Sequence, residues 1–189
     1  MTTSIMIVGV GGQGTLLASR LMGAALLAQG YDVKVSEVHG MSQRGGSVVT
    51  YVKYGENVAA PIVDMGEADV ILAFERLEAA RWAPYLKPNG KLIMSTQRLN
   101  PMPVITGAAE YPKGIVEALM AAGVNLQAFD AFSLARQAGS DKAVNVVLLG
   151  AMAKHMDIPM ETWQAAIRDN VKPVFVEMNL KAFELGYGA

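Results

Sequence analysis

The residues best suited to chemistry form two glycine-bearing stretches near the N-terminus. The first, Gly9-Val10-Gly11-Gly12-Gln13-Gly14, has the spacing G-x-G-x-x-G. In that spacing the first glycine permits a tight turn, the second lets backbone approach a ligand, and the third lets a helix sit close to a strand. The unpaired N–H groups where such a helix begins attract an anion. Gly11, Gly12, Gln13 and Gly14 are therefore candidate backbone donors to a phosphate. The second stretch, Ser42-Gln43-Arg44-Gly45-Gly46-Ser47, sets hydroxyl, amide and guanidinium groups beside flexible backbone. Arg44 has the fork of donors that pairs with a phosphate or carboxylate, and a solvated turn arginine is the plain alternative.

Glu37 lies where a dinucleotide fold carries its ribose-binding acid, about 20 residues past the glycine loop. His39 and His155 are the only histidines. His39, in a polar loop, is a candidate acid or base, with a solvated role as its alternative. His155 ends a helical pattern and reads as a cation at a helix C-terminus.

The elements that must position these groups are legible from hydropathy. Ser4–Val8 is an apolar run stopped by glycine, as expected of a strand buried on both faces. Residues 13–29 are helical in pattern, with Leu16, Leu17, Leu21, Ala24, Ala25 and Leu27 on the apolar stripe and Gly30 closing it. Val33 and Val35 begin a second strand, parallel to the first if the crossover is right-handed. Both glycine stretches then lie at the carboxyl edge of the sheet, where open α/β sheets bind ligands. Ser47–Tyr54 reads as a strand in an antiparallel insertion, since no helix precedes it. Ala68–Phe74 is a buried strand followed by a helix to Trp82, Pro88-Asn89-Gly90 a turn, and Lys91–Ser95 a strand. Residues 96–113 read as loop, 114–122 as a short helix and Val124–Phe129 as the last strand. From Ser133 the chain is helical: through Ala138, from Asp141 to Met156, after Pro159, and from Pro173 to Leu185. The expected fold class is α/β: one domain over 1–189, three-layered and Rossmann-like, mostly parallel, with an antiparallel insertion and a helical C-terminal third.

Composition limits the chemistry. The chain has 189 residues, 52% of them hydrophobic, a net charge of −1 and no cysteine. A disulfide framework, a cysteine nucleophile, thiolate zinc and a cysteine-ligated iron–sulfur cluster are thereby excluded from this chain. The charge balance offers no footprint for nucleic acid or an acidic membrane. No apolar run approaches the roughly 20 residues of a membrane span, and the N-terminus lacks a signal-peptide pattern, so a cytoplasmic location is expected. The apolar excess suits a buried interface, for which Met41, Met65, Met102 and Met156 are candidates beside their alternative as core filler. Trp82, Trp163 and Phe175 read as core.

Context argues for a phosphate at the glycine loop without saying whose. A methyltransferase would want glycine where Gln13 stands. An adenylating enzyme would want aspartate at the end of the second strand, and a dehydrogenase needs a hydride-handling acid or base. Taken together, Gly-x-Gly-Gly-Gln-Gly, the run Ser36-Glu-Val-His-Gly-Met-Ser-Gln-Arg-Gly-Gly-Ser-Val48 and Gly66-Glu-Ala-Asp-Val70 resemble the gamma-type subunit or domain of the 2-oxoacid:ferredoxin oxidoreductases. Asn145–Gly150 and Asn179–Gly186 extend the resemblance over nearly the whole chain, and as a free-standing chain it is most similar to the indolepyruvate-type members. The resemblance implies an enzyme that decarboxylates an aryl 2-oxoacid oxidatively to an acyl-CoA and passes electrons to ferredoxin. Thiamine diphosphate, magnesium and iron–sulfur clusters would sit in a larger partner subunit, leaving this chain inactive alone. It further implies that Gly9, Gly11, Gly12, Gln13 and Gly14, with Ser42, Gln43, Arg44 and Gly45, line a cleft on the coenzyme A side, no residue here being catalytic. Docking of the Ser42–Gly46 loop on the partner subunit is the alternative. Members acting on pyruvate, branched-chain 2-oxoacids or 2-oxoglutarate are a second reading, and a free-standing nucleotide-binding enzyme is a third.

Overall fold

The computed structural model describes residues 2–39 and 45–189. Ser42, Gln43 and Arg44, three of the candidate ligand residues, lie outside the described residues, as does Met41.

Six strands form one mixed sheet. β1 (Thr2–Val10) pairs parallel with β4 (Ala68–Ala73), which continues through β5 (Leu86–Ser95) to β6 (Asn125–Phe129). On its other side β1 pairs antiparallel with β3 (Ser47–Gly55), and β3 pairs antiparallel with the edge strand β2 (Asp32–His39). The spatial order is β2-β3-β1-β4-β5-β6. The strands β1 and β2 do run in the same direction, as the crossover rule requires, but they are not neighbours. The antiparallel β3 is inserted between them.

Burial on both faces explains the apolar sequence of β1. Ile5 and Ile7 belong to one hydrophobic cluster and Met6 and Val8 to the other, as the two-residue period of a strand dictates. The first cluster is closed by α1 (Thr15–Ala28), α5 (Ala131–Ala138), α6 (Val144–Ala153), α7 (Met160–Asn170) and α8 (Val176–Tyr187). The second is closed by α2 (Arg76–Trp82) and α4 (Ile115–Ala121). This is the expected three-layer α/β arrangement with a helical C-terminal third.

α6 is buried along its whole length. It lies so close to α8 that a Cβ on Gly150 would stand 2.1 Å from the Phe183 carbonyl oxygen, and one on Gly186 1.9 Å from that of Val147. The two glycines let the helix backbones touch.

Several expectations are corrected. In α1 the buried apolar side chains are Ala18, Leu21, Met22, Ala25 and Leu26, whereas Leu16 and Leu27 are more than half exposed. The residues Pro88-Asn89-Gly90 are incorporated in β5, with a register shift between Ala68 and Val70 and Asn89 in the left-handed region at φ 65°. A short helix, α3 (Met102–Ile105), interrupts the segment read as loop. Trp163 is fully buried against Phe183, Trp82 half-buried, but Phe175 is half exposed instead of core. Met65 and Met102 are exposed, and Met156 packs on the first cluster.

Candidate functional site at the glycine loop

The turn from β1 into α1 brings the two glycine stretches together. The Gly11 N–H donates to the Gly46 carbonyl at 2.8 Å, and the Gly45 N–H donates to the Gly11 carbonyl at 3.2 Å. This reciprocal pair extends the β1–β3 ladder by a rung and fixes the base of the second stretch against the first. Gly9, one residue before the end of β1, is packed against the Phe74 Cβ and the Gln13 side chain.

Gln13 organises the loop. Its Oε1 accepts from the Val10 N–H at 2.8 Å, while its Nε2 donates to the Phe74 carbonyl at 3.1 Å and to Gln97 Oε1 at 3.0 Å. One amide thus ties the ends of β1 and β4 to the segment after β5. The Gln13 N–H itself donates to the Val10 carbonyl at 3.1 Å. Of the four candidate donors, Gly11 and Gln13 are already engaged within the turn. The N–H groups of Gly12 and Gly14 have no acceptor among the described residues. Gly12 and Gly14 both adopt positive φ, 103° and 83°, which turns successive N–H groups outward. No side chain caps α1, so its first N–H groups add their partial positive charge at the same spot.

Three clefts meet at this loop. One, of about 580 Å³, is lined by Gly12, Gln13, Gly14, Gln97, Phe132 and Lys142 among others. A second, of about 370 Å³, sets Glu37 and His39 opposite Gly11, Gly12 and Gly14. The third, of about 630 Å³, runs from Gly11, Gly45 and Gly46 past Glu78 and Arg81 to Pro103. The first cleft combines backbone donors that have no acceptor among the described residues with Lys142, whose charge its neighbour Asp141, also in the lining, balances; the attraction for an anion there rests on the backbone donors. The second places an acid at the same backbone, where a ribose hydroxyl would be met.

Sequence reading overlooked four contributors. Lys142 stands in a 3-10 turn ahead of α6. Asn145 is one buried amide in an apolar helix and donates through Nδ2 to the Gly14 carbonyl at 3.2 Å. An isolated polar residue within Val144–Leu149 was the available signal, since a buried amide requires a partner. Glu75, 1% exposed, caps α2: Oε2 accepts from the N–H groups of Leu77 (2.6 Å) and Glu78 (3.0 Å), and Oε1 from the Leu99 N–H (3.1 Å) and the Tyr111 hydroxyl. Burial, and next the bond to Glu75, push the Tyr111 phenol far above its ordinary range. Glu78, also buried, accepts from the Ser47 hydroxyl and from Trp82 Nε1 at 3.3 Å, and faces Arg81 at 3.6 Å. Glutamate is not among the favoured capping residues, so neither acid was conspicuous.

His155 departs from its expected role. It follows α6 and its Nε2 lies 3.0 Å from Gln127 Oε1. Partial burial, with the nearby charges of Lys91 and Lys154, lowers its pKa below 6.5, which favours the neutral ring and not the expected cation.

No helix among the described residues is long and apolar enough to cross a membrane. The described residues also hold no cluster of His, Asp or Glu fit to bind a metal.

Comparison with known proteins accounts for the arrangement. The sequence profile of the pyruvate ferredoxin/flavodoxin oxidoreductase family matches residues 4–189. Indolepyruvate oxidoreductase subunit IorB of Thermococcus kodakarensis is 46% identical over 193 residues, covering 98% of this chain and 95% of that one. The IorB subunit of Archaeoglobus fulgidus is 39% identical over 99% of this chain and 94% of its own. Among solved structures, the gamma subunit of keto/oxoacid ferredoxin oxidoreductase from Geobacter sulfurreducens superposes with a TM-score of 0.73 at 26% identity, covering 98% of this chain and 96% of that one. With two joined glycine turns on a sheet of this order and a match along its length, the chain belongs to the pyruvate ferredoxin/flavodoxin oxidoreductase family.

Proposed function

We propose that this chain is the small, gamma-type subunit of an indolepyruvate-type 2-oxoacid:ferredoxin oxidoreductase, one domain over 1–189 acting in the cytoplasm. The supporting observation is its end-to-end similarity to indolepyruvate oxidoreductase subunits, of nearly the same length, at 37–46% identity. The complete enzyme converts an aryl 2-oxoacid to an acyl-CoA and delivers electrons to ferredoxin. Thiamine diphosphate, held with magnesium in the larger partner subunit, supplies the centre that stabilises charge as carbon dioxide departs. Clusters ligated by cysteine also belong to that partner, because this chain has no cysteine.

The task left to this chain is to hold the phosphate-bearing part of coenzyme A. The N–H groups of Gly12 and Gly14 and the start of α1 supply fixed donors, and Lys142 supplies an ammonium in the same lining, beside Asp141. Gly9, Gly11 and Gln13 shape the turn, and Gly45 anchors the stretch that carries Ser42, Gln43 and Arg44. Preorganised backbone donors bind an anion with little ordering cost.

Co-expression with the large subunit and titration of coenzyme A test the proposal. Lys142→Ala should weaken coenzyme A roughly tenfold, as expected when one charge-assisted contact is lost. Arg44→Ala should weaken it comparably if its loop shares the ligand, and leave it unchanged if that loop docks on the partner. Unaltered affinity in both variants removes coenzyme A from this cleft. The placement of Glu37 beside the same glycines favours, as second reading, a nucleotide-binding enzyme active alone. Turnover with NAD by the isolated chain would establish that reading and sink the first.

A further inference from the structure

A fourth concavity, of about 270 Å³, opens where the segment after β5 crosses the start of α2, and it shares no lining residue with the three clefts at the glycine loop. Arg76, Arg98 and Lys113 line it, with Glu117 as its one acid. None of the three cations forms an ion pair among the described residues. Arg76 Nε is buried and has no hydrogen-bond partner among the described residues. The guanidinium carbon of Arg98 lies over the Tyr111 ring, 4.4 Å from its centroid, and its Nε donates to Asn100 Oδ1 at 2.9 Å. Tyr111 is itself fixed by the buried carboxylate of Glu75, whose own acceptor capacity is taken by two α2 N–H groups, the Leu99 N–H and the Tyr111 hydroxyl. Glu75 thus holds the platform of Arg98 in place and offsets one of the three positive charges, without forming an ion pair with any of them.

We infer that Arg76, Arg98 and Lys113 form a second anion site, separate from the glycine loop, for a phosphoryl or carboxylate group of a small molecule. Two guanidinium groups and an ammonium around one concavity outweigh Glu117 and the Glu75 carboxylate behind Tyr111 by one positive charge, and an orphaned buried N–H lacks the acceptor that an oxyanion supplies. The volume lies below the range of pockets that enclose a whole nucleotide-sized ligand, so the site takes one acidic group and leaves the rest of the molecule outside.

Isotope-labelled full-length chain titrated with inorganic phosphate, and separately with acetate, tests this by NMR. Saturable shifts are expected at the Arg76 Nε–H and the Ile115 amide, while the Gly12 and Gly14 amides report the other cleft separately. Arg76→Gln should weaken the response at Ile115 about tenfold or more, the loss expected for a hydrogen bond to a charged group. Lys113 is exposed, so Lys113→Gln leaves the fold intact and should weaken it several-fold. Saturation by phosphate alone assigns the site to phosphoryl groups, and comparable saturation by acetate assigns it to carboxylates. Linear, unsaturable shifts with both anions, or affinities unmoved in both variants, overturn the inference.

Discussion

Asn145 reaches out of α6 to hold Gly14: its Nδ2 donates to the Gly14 carbonyl at 3.2 Å and stands 2.5 Å from where a Cβ on that glycine would project. The same glycine has φ 83°, a conformation that costs an L-residue about 1–2 kcal/mol. Gly14→Ala should therefore destabilise the chain by about 2 kcal/mol or more, measured by urea unfolding. Asn145→Ala should cost about 1 kcal/mol through the lost hydrogen bond. In the double variant the clash is gone, so the two effects should fall short of additivity. Strict additivity would show that Asn145 does not hold the loop.

The α6–α8 contact leaves no such slack. Replacement of Gly150 or Gly186 by alanine drives a methyl into backbone carbonyls, which cannot rotate away as a side chain can. Each substitution should cost roughly 3 kcal/mol or more, at the upper end of overpacking effects. The thermal unfolding midpoint is the measurement, and a change as small as that at an exposed helix position would refute the close approach.

The Glu75–Tyr111 pair predicts a cost of a different origin. Tyr111→Phe removes one of the four donors to a carboxylate that is 1% exposed. The loss should be about 1–3 kcal/mol, the range for a buried group left short of partners. The raised phenol pKa also fixes a pH dependence. An acid whose folded pKa exceeds its unfolded value of 10.0 contributes stability that is complete below pH 10 and declines as pH rises beyond it. Unfolding of the wild type in alkali should show that decline, and Tyr111→Phe should reduce it to the part that the likewise raised Tyr51 and Tyr54 phenols contribute.

How far the sequence carried these features depends on the range of the interaction. The βα turn, the antiparallel β3 and the apolar centre of β1 were legible because glycine spacing and hydropathy periods are local. The insertion of β3 between β1 and β2 was not, since sheet order is settled by packing among distant segments. At the site, the glycines themselves announced the loop. The engagement of the Gly11 and Gln13 N–H groups within it could not be foreseen, because their acceptors depend on the folded turn and on Gly46. Lys142 and Asn145 come from more than 120 residues away and meet Gly14 only through the α1–α6 contact. Leu16 and Phe175, apolar yet exposed, show the converse: hydropathy says what can be buried, not what this chain alone buries.

His155 offers a test of electrostatics away from the candidate site. Partial burial comes first among the causes that lower its pKa, followed by Lys91 and Lys154, and all three oppose the charged ring. The group binds its proton less readily when folded than when unfolded. Its neutral form thus contributes stability that is complete above the unfolded pKa of about 6.5 and is lost as pH falls through the folded value. An NMR titration of the ring should give a midpoint below 6.5. Substituting Lys91 by Gln should move that midpoint upward and Lys154→Gln should do so as well, each by less than the burial effect. A midpoint above 6.5 would restore the charged ring at the end of α6 and would set the helix dipole above desolvation at this position.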